Sequence, residues 1–152
     1  MVRDGKHVPV LIMEADNKVV AGQIPDMPPT HGERVELMRF LGQAAAKSGR
    51  VHYLQQVFMV TEGWMSEPKE DKGQFIPPSE DPTRKEVLIV SAIQIRERKK
   101  HLKVYEIVRD QHEQVTGMEE FVPENPQETS VEVPLLDAFV QGFQTGFRIK
   151  YN

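Results

Sequence analysis

The chain of 152 residues contains no cysteine. That excludes disulfides, thiolate catalysis and cysteine-ligated zinc or iron–sulfur centres. Long hydrophobic runs are missing too. No apolar stretch approaches the roughly 18–20 residues needed to span a bilayer. Met1-Val2-Arg3-Asp4-Gly5-Lys6 leads into a short strand-like run without the apolar centre of a secretory leader. The expectation is a cytoplasmic protein with no membrane association. Neither of the glycine-rich phosphate loops, GxGxxG and GxxxxGK[ST], occurs, and GxSxG is absent as well. None of the five histidines (His7, His31, His52, His101, His112) stands in HExxH or HxH spacing. No cofactor and no metal centre is therefore expected. Positive charge is in deficit, with 19 Lys and Arg against 23 Asp and Glu, a net charge of −4. A general nucleic-acid binder needs a basic surface, so that class is disfavoured.

What is present is the composition of a globular protein, 39% hydrophobic and 28% charged. The length suits one α+β domain spanning 1–152, with a long loop at 66–84 inside it. Val8–Glu14 and Lys18–Ile24 are strand-like, and Ala15-Asp16-Asn17 between them suits a tight hairpin. Pro25, Pro28 and Pro29 end the pairing. Thr30 as N-cap and Glu33 three residues on form a capping box for a helix over 31–48. Its apolar face is expected to be Leu37, Phe40, Leu41, Ala44 and Ala45, with Gly49 as the stop. Val51–Met65 reads as the longest strand.

Ser66–Arg84 holds four of the eleven prolines and no periodic pattern. Glu86–Arg96 and Leu102–Asp110 read as a strand pair joined by the basic turn Glu97–His101. In the first, Val87, Ile89 and Ile93 alternate with Leu88, Val90 and Ala92, so both faces are apolar and the strand belongs at the centre of a sheet. Beyond Gln111 the chain reads as acidic loop until a second helix at about 134–147. Pro134 suits its first turn and Leu135, Leu136, Phe139, Val140, Phe143 and Phe147 line one stripe. Gly142 and Gly146 weaken that helix by about 1 kcal/mol each but allow another element to come close. The fold class is α+β: a mainly antiparallel sheet of about five strands with two helices, in the order β-β-α-β-β-β-α. That order resembles the profilin-like group of folds, including longin and roadblock domains, which implies a central antiparallel sheet carrying helices on its faces.

Three constellations are candidates for function. Glu62, Asp81 and Glu86 flank the long loop, with Arg84 and His52 as neighbours. Paired carboxylates with split pKa values perform acid–base hydrolysis or hold a divalent ion. The structural alternative is a turn at Asp81-Pro82-Thr83-Arg84 with surface ion pairing. Trp64-Met65 ends a strand where the loop begins, and Phe75-Ile76 lies mid-loop. That apolar pair either folds back over Trp64 or docks on a partner. The basic turn, with Arg96, Arg98, Lys99, Lys100 and Lys103, suits a phosphate or an acidic protein surface, or is a solvated hairpin tip. Opposed to it, Asp110 to Phe147 contains no lysine or arginine but eight carboxylates, so subunits can attract head to tail.

Two function classes follow. One is a non-enzymatic interaction or structural subunit that self-associates or binds a protein partner, using strand 86–96, the last helix and the long loop. The alternative is a small hydrolase or ligand- or metal-binding domain built on the carboxylates at the loop's edge.

Overall fold

Among the described residues, apolar patterning and tight turns produce six strands and two helices. A computed structural model describes residues 8–65, 84–121 and 132–151. In chain order the elements are β1 (Val10–Ala15), β2 (Lys18–Gln23), α1 (His31–Lys47), β3 (Leu54–Met65), β4 (Lys85–Gln94), β5 (Lys99–Arg109), β6 (Val115–Phe121) and α2 (Pro134–Tyr151). The strands form one antiparallel sheet in the order β2-β1-β3-β4-β5-β6. The α+β class, the single sheet and the two helices are as expected, and β4 is interior, as its two apolar faces required. The candidates Phe75, Ile76 and Asp81 lie outside the described residues.

The first hairpin turns on Asp16 and Asn17, both at positive φ (52° and 61°). Two successive left-handed residues make the turn whose twist matches the flanking strands, and Asp and Asn tolerate that conformation. At α1 the Thr30 side chain accepts the backbone N–H of Glu33 at 3.3 Å, which satisfies one orphan donor of the first turn.

Three expectations are corrected. The segment after Gln111 is not all loop. Asp110 Oδ1 accepts the backbone N–H of His112 and of Gln114, closing a turn from which β6 returns along β5. Every residue of β6 is exposed, so no buried face imposed a pattern on its sequence. The basic turn is also shorter than expected. It occupies 95–98, and Lys99 and Lys100 already belong to β5. Finally, the buried residues of α1 are Met38, Gly42 and Ala46; Leu37, Leu41 and Ala45 of the expected face pack beside them half-buried, but Ala44 is exposed and Phe40 is 65% exposed. Residue 40 stands two positions, about 200° of helix, from both Met38 and Gly42, and must face away from them.

Cα partners across a ladder share a face, so the register sorts the sheet. Leu11 opposes Met59, Met13 opposes Val57 and Val57 opposes Ile93. These residues form the core with Met38 and Ala46 of α1 and Leu136, Ala138, Phe139 and Phe143 of α2. Both helices therefore lie on one face, packed closely against each other. Ser91 is buried on that face and its hydroxyl donates to the Met59 carbonyl.

Candidate functional site

The other face of the sheet carries its own apolar field. One row runs Val10, Val60, Val90 and a second Ile12, Phe58, Ala92. A third continues through Leu88 and Tyr105, and Ile107 pairs beside Met118. Ala92 and Ile107 are buried among these neighbours, while Val10, Ile12, Phe58, Val60, Leu88, Val90 and Tyr105 are half-buried. Met118 at the edge is 53% exposed. Polar groups surround the field: Glu14, Gln56, Gln94 and Lys99 at one end, His101 and Lys103 along β5, and Glu62, Glu86 and Arg109 at the other end. An apolar centre with a polar rim is the anatomy of a protein interface. The strand-by-strand signal was present in the sequence, since Val10–Met13 and Val57–Val60, like Val87–Ile93, are apolar at both parities.

The sheet brings Glu62 and Glu86 to this face as diagonal neighbours, Glu62 opposite Leu88 and Glu86 opposite Trp64. Glu86 is gripped by the guanidinium of Arg109: Nε donates to Oε2 at 2.6 Å and Nη2 to Oε1 at 2.8 Å. The third nitrogen of Arg109 donates to the Glu113 carbonyl at 2.8 Å. The hydrogen bond to Glu86, with the fields of Glu86, Glu62 and Glu113 adding to it, raises the pKa of Arg109 against a smaller opposing effect of burial. Such a two-pronged pair fixes geometry and keeps both partners charged. It ties the start of β4 to the end of β5.

His52 does not join the carboxylates. It precedes β3, while Glu62 lies near the far end of that strand, and eight residues of strand from Leu54 to Glu62 span roughly 26 Å. Its backbone N–H donates to Asp16 instead. The Trp64 indole is 43% exposed, and the Arg84 guanidinium sits 4.2 Å over its ring. Trp64 and Arg84 are thus joined at the loop's edge, with Met65 following Trp64 on the opposite side of the strand.

Of the basic residues, Arg98 occupies the turn at φ 56°. Lys100 reaches to Asp137 of α2 at 3.1 Å, and Lys103 to Glu120 of β6 at 4.0 Å. Four of the charges that suggested head-to-tail attraction are thus paired within one chain. Among the described residues no group of three His, Asp or Glu side chains has metal-binding proximity, and no helix is long and apolar enough to cross a membrane.

Comparison with known proteins adds one finding. A family model described as bacteriophage lambda protein ea47 matches residues 1–146. No curated protein and no solved structure matches the chain. Since the match takes in all the strands and most of α2, the chain belongs to the bacteriophage lambda protein ea47 family.

Proposed function

We propose that this chain is a non-enzymatic interaction subunit that self-associates through the sheet face opposite its helices. The observation that carries the reading is the apolar field on that face, half-buried in the single chain and ringed by polar side chains. Covering it removes apolar surface from water at roughly 25 cal/mol per Å². Two such sheets pack face to face with their strands within about 30° of each other.

A second copy suits the rim, because the rim carries both signs. A two-fold axis between β3 and β4, the middle of the six strands, sets β1 of one copy over β5 of the other. Glu14 then meets Lys99, which stands at the same level of the sheet. A hydrolytic site on Glu62 and Glu86 has less support, because Arg109 engages both oxygens of Glu86.

Sedimentation velocity tests the proposal. The expected result is a dimer or larger species for the wild type and a monomer for Val60→Lys, with unchanged circular dichroism. Because Val60 is half-buried, Met118→Lys at the exposed edge serves as a milder second variant and should weaken association. A wild type that sediments as a monomer throughout a dilution series sinks the idea.

A further inference from the structure

At the end of the sheet remote from Trp64, the β1–β2 turn, the start of β3 and the β4–β5 turn line a half-open cleft of about 580 Å³. Its walls carry four side-chain amides and three carboxylates beside Tyr53, Leu54 and Ile95, and several of the polar groups are held in place. The Asp16 carboxylate accepts the backbone N–H groups of His52 (3.0 Å) and Tyr53 (2.8 Å), which fixes the backbone that presents Tyr53. Asn17 and Gln55 pair twice, through the Asn17 backbone N–H to Gln55 Oε1 at 3.0 Å and Gln55 Nε2 to Asn17 Oδ1 at 3.2 Å. Gln56 Nε2 donates to Glu14 at 3.0 Å. Tyr53 stands on the rim with 77% of its surface exposed, the most exposed large hydrophobic side chain among the described residues.

The chemistry of the walls selects a ligand class. A primary amide has two N–H donors and two acceptor positions, and each of these bonds uses one. The lining thus offers donors and acceptors together. Three carboxylates, Glu14, Asp16 and Glu97, stand against one guanidinium, Arg96, so the cavity repels anions. An apolar ligand would cover the donors and acceptors these amides still have to offer without pairing them, at a cost. A neutral polyhydroxylated molecule satisfies the set, since every hydroxyl both donates and accepts, and its C–H faces can lie on an exposed aromatic ring.

We infer that this cleft is a binding site for a neutral saccharide, with the Tyr53 ring as the platform and Gln55, Gln56, Gln94 and Glu14 as hydroxyl partners. The cleft shares Glu14, Gln56 and Gln94 with the rim of the proposed self-association face, but the assignment does not rest on that association.

Saturation-transfer NMR on the full chain tests the assignment, with maltotriose, chitotriose and galactobiose as probes and inorganic phosphate as the anionic comparison. Transfer to at least one sugar is expected. Tyr53→Ala should weaken it by roughly tenfold, about 1.4 kcal/mol, while amide spectra show the fold intact. Gln94→Ala should weaken it less, and Met118→Ser on the far edge should leave it unchanged. The assignment is overturned by absence of transfer to all three sugars, by affinity that Tyr53→Ala leaves undiminished, or by phosphate shifting the cleft resonances where the sugars do not.

Discussion

Gly42 and Gly142 mark the crossing of the two helices. A methyl group on Gly42 would sit 2.0 Å from the carbonyl oxygen of Phe139, and one on Gly142 would sit 2.0 Å from that of Arg39. The contact is reciprocal, with each glycine pressed on the backbone three residues before the other. Two helix backbones approach this closely only where neither carries a Cβ. The close approach also lets Leu136, Phe139 and Phe143 share one core with Met38.

The glycines should therefore respond to alanine with opposite signs. In an open helix Gly→Ala stabilises by about 0.5–1 kcal/mol. Gly32, in the first turn of α1 with nothing within 4 Å of a built Cβ, should behave that way. Gly42→Ala and Gly142→Ala should each destabilise by about 3 kcal/mol, because the obstruction is backbone and the helices must part. Urea unfolding of the three variants checks this. Equal behaviour at Gly32 and Gly42 would remove the basis for the tight crossing.

The corrected face of α1 gives a second contrast. Met38 is fully buried and Phe40 is 65% exposed. Met38→Ala should cost about 2–5 kcal/mol by leaving a cavity. Phe40→Ala should stay within about 0.5 kcal/mol, as surface substitutions do. Chemical denaturation of both variants decides which face is inside.

Asp16 should make stability pH-dependent at the acid end. The backbone N–H of His52, then that of Tyr53, holds its carboxylate below the ordinary aspartate value, with desolvation opposing weakly. A carboxylate whose folded pKa is depressed contributes stability that is present above its unfolded value and lost as pH falls through the folded one. Asp16→Asn keeps a side chain that tolerates φ 52° but removes the charge. The stability gap between wild type and Asp16→Asn should be open at neutral pH and close on acidification below the aspartate range. A gap independent of pH would show that the charge is immaterial.

The Glu86–Arg109 fork should behave as a coupled unit. Breaking one partner leaves a charge on a partly covered sheet face, whereas removing both removes the problem. Glu86→Gln and Arg109→Gln should each lower the melting temperature, and the double variant should lose less than the two losses added together. Strict additivity in that cycle would mean that the two side chains do not interact in solution.

Local signals carried much of the fold. Proline and glycine placement bounded the first hairpin and α1, the Thr30 cap located the helix start within a residue, and two-sided apolar parity put β4 at the centre of a sheet. β6 escaped because an edge strand with no buried face leaves no alternation to read. The α1 stripe was only partly legible: Leu37, Leu41 and Ala45 do pack on the core, but Phe40 outweighs a glycine on any hydrophobicity pattern, yet Gly42 lies on the buried side and Phe40 does not. Of the candidate site, Glu62 and Glu86 were legible as strand residues at the loop's edge. The bond from Arg109 to Glu86 was not, since it depends on the register between β4 and β5.

The sequence by itself determined the class of the chain, its capped first helix and the absence of thiol chemistry, because composition, caps and turn residues act over a few neighbouring positions. Only the tertiary structure decided that both helices cover the same side of the sheet. That arrangement follows from the Gly42–Gly142 crossing, where contact between segments a hundred residues apart places α2 beside α1. The same packing leaves the field around Val60 and Val90 to face away from every described helix, because both helices are spent on the opposite side.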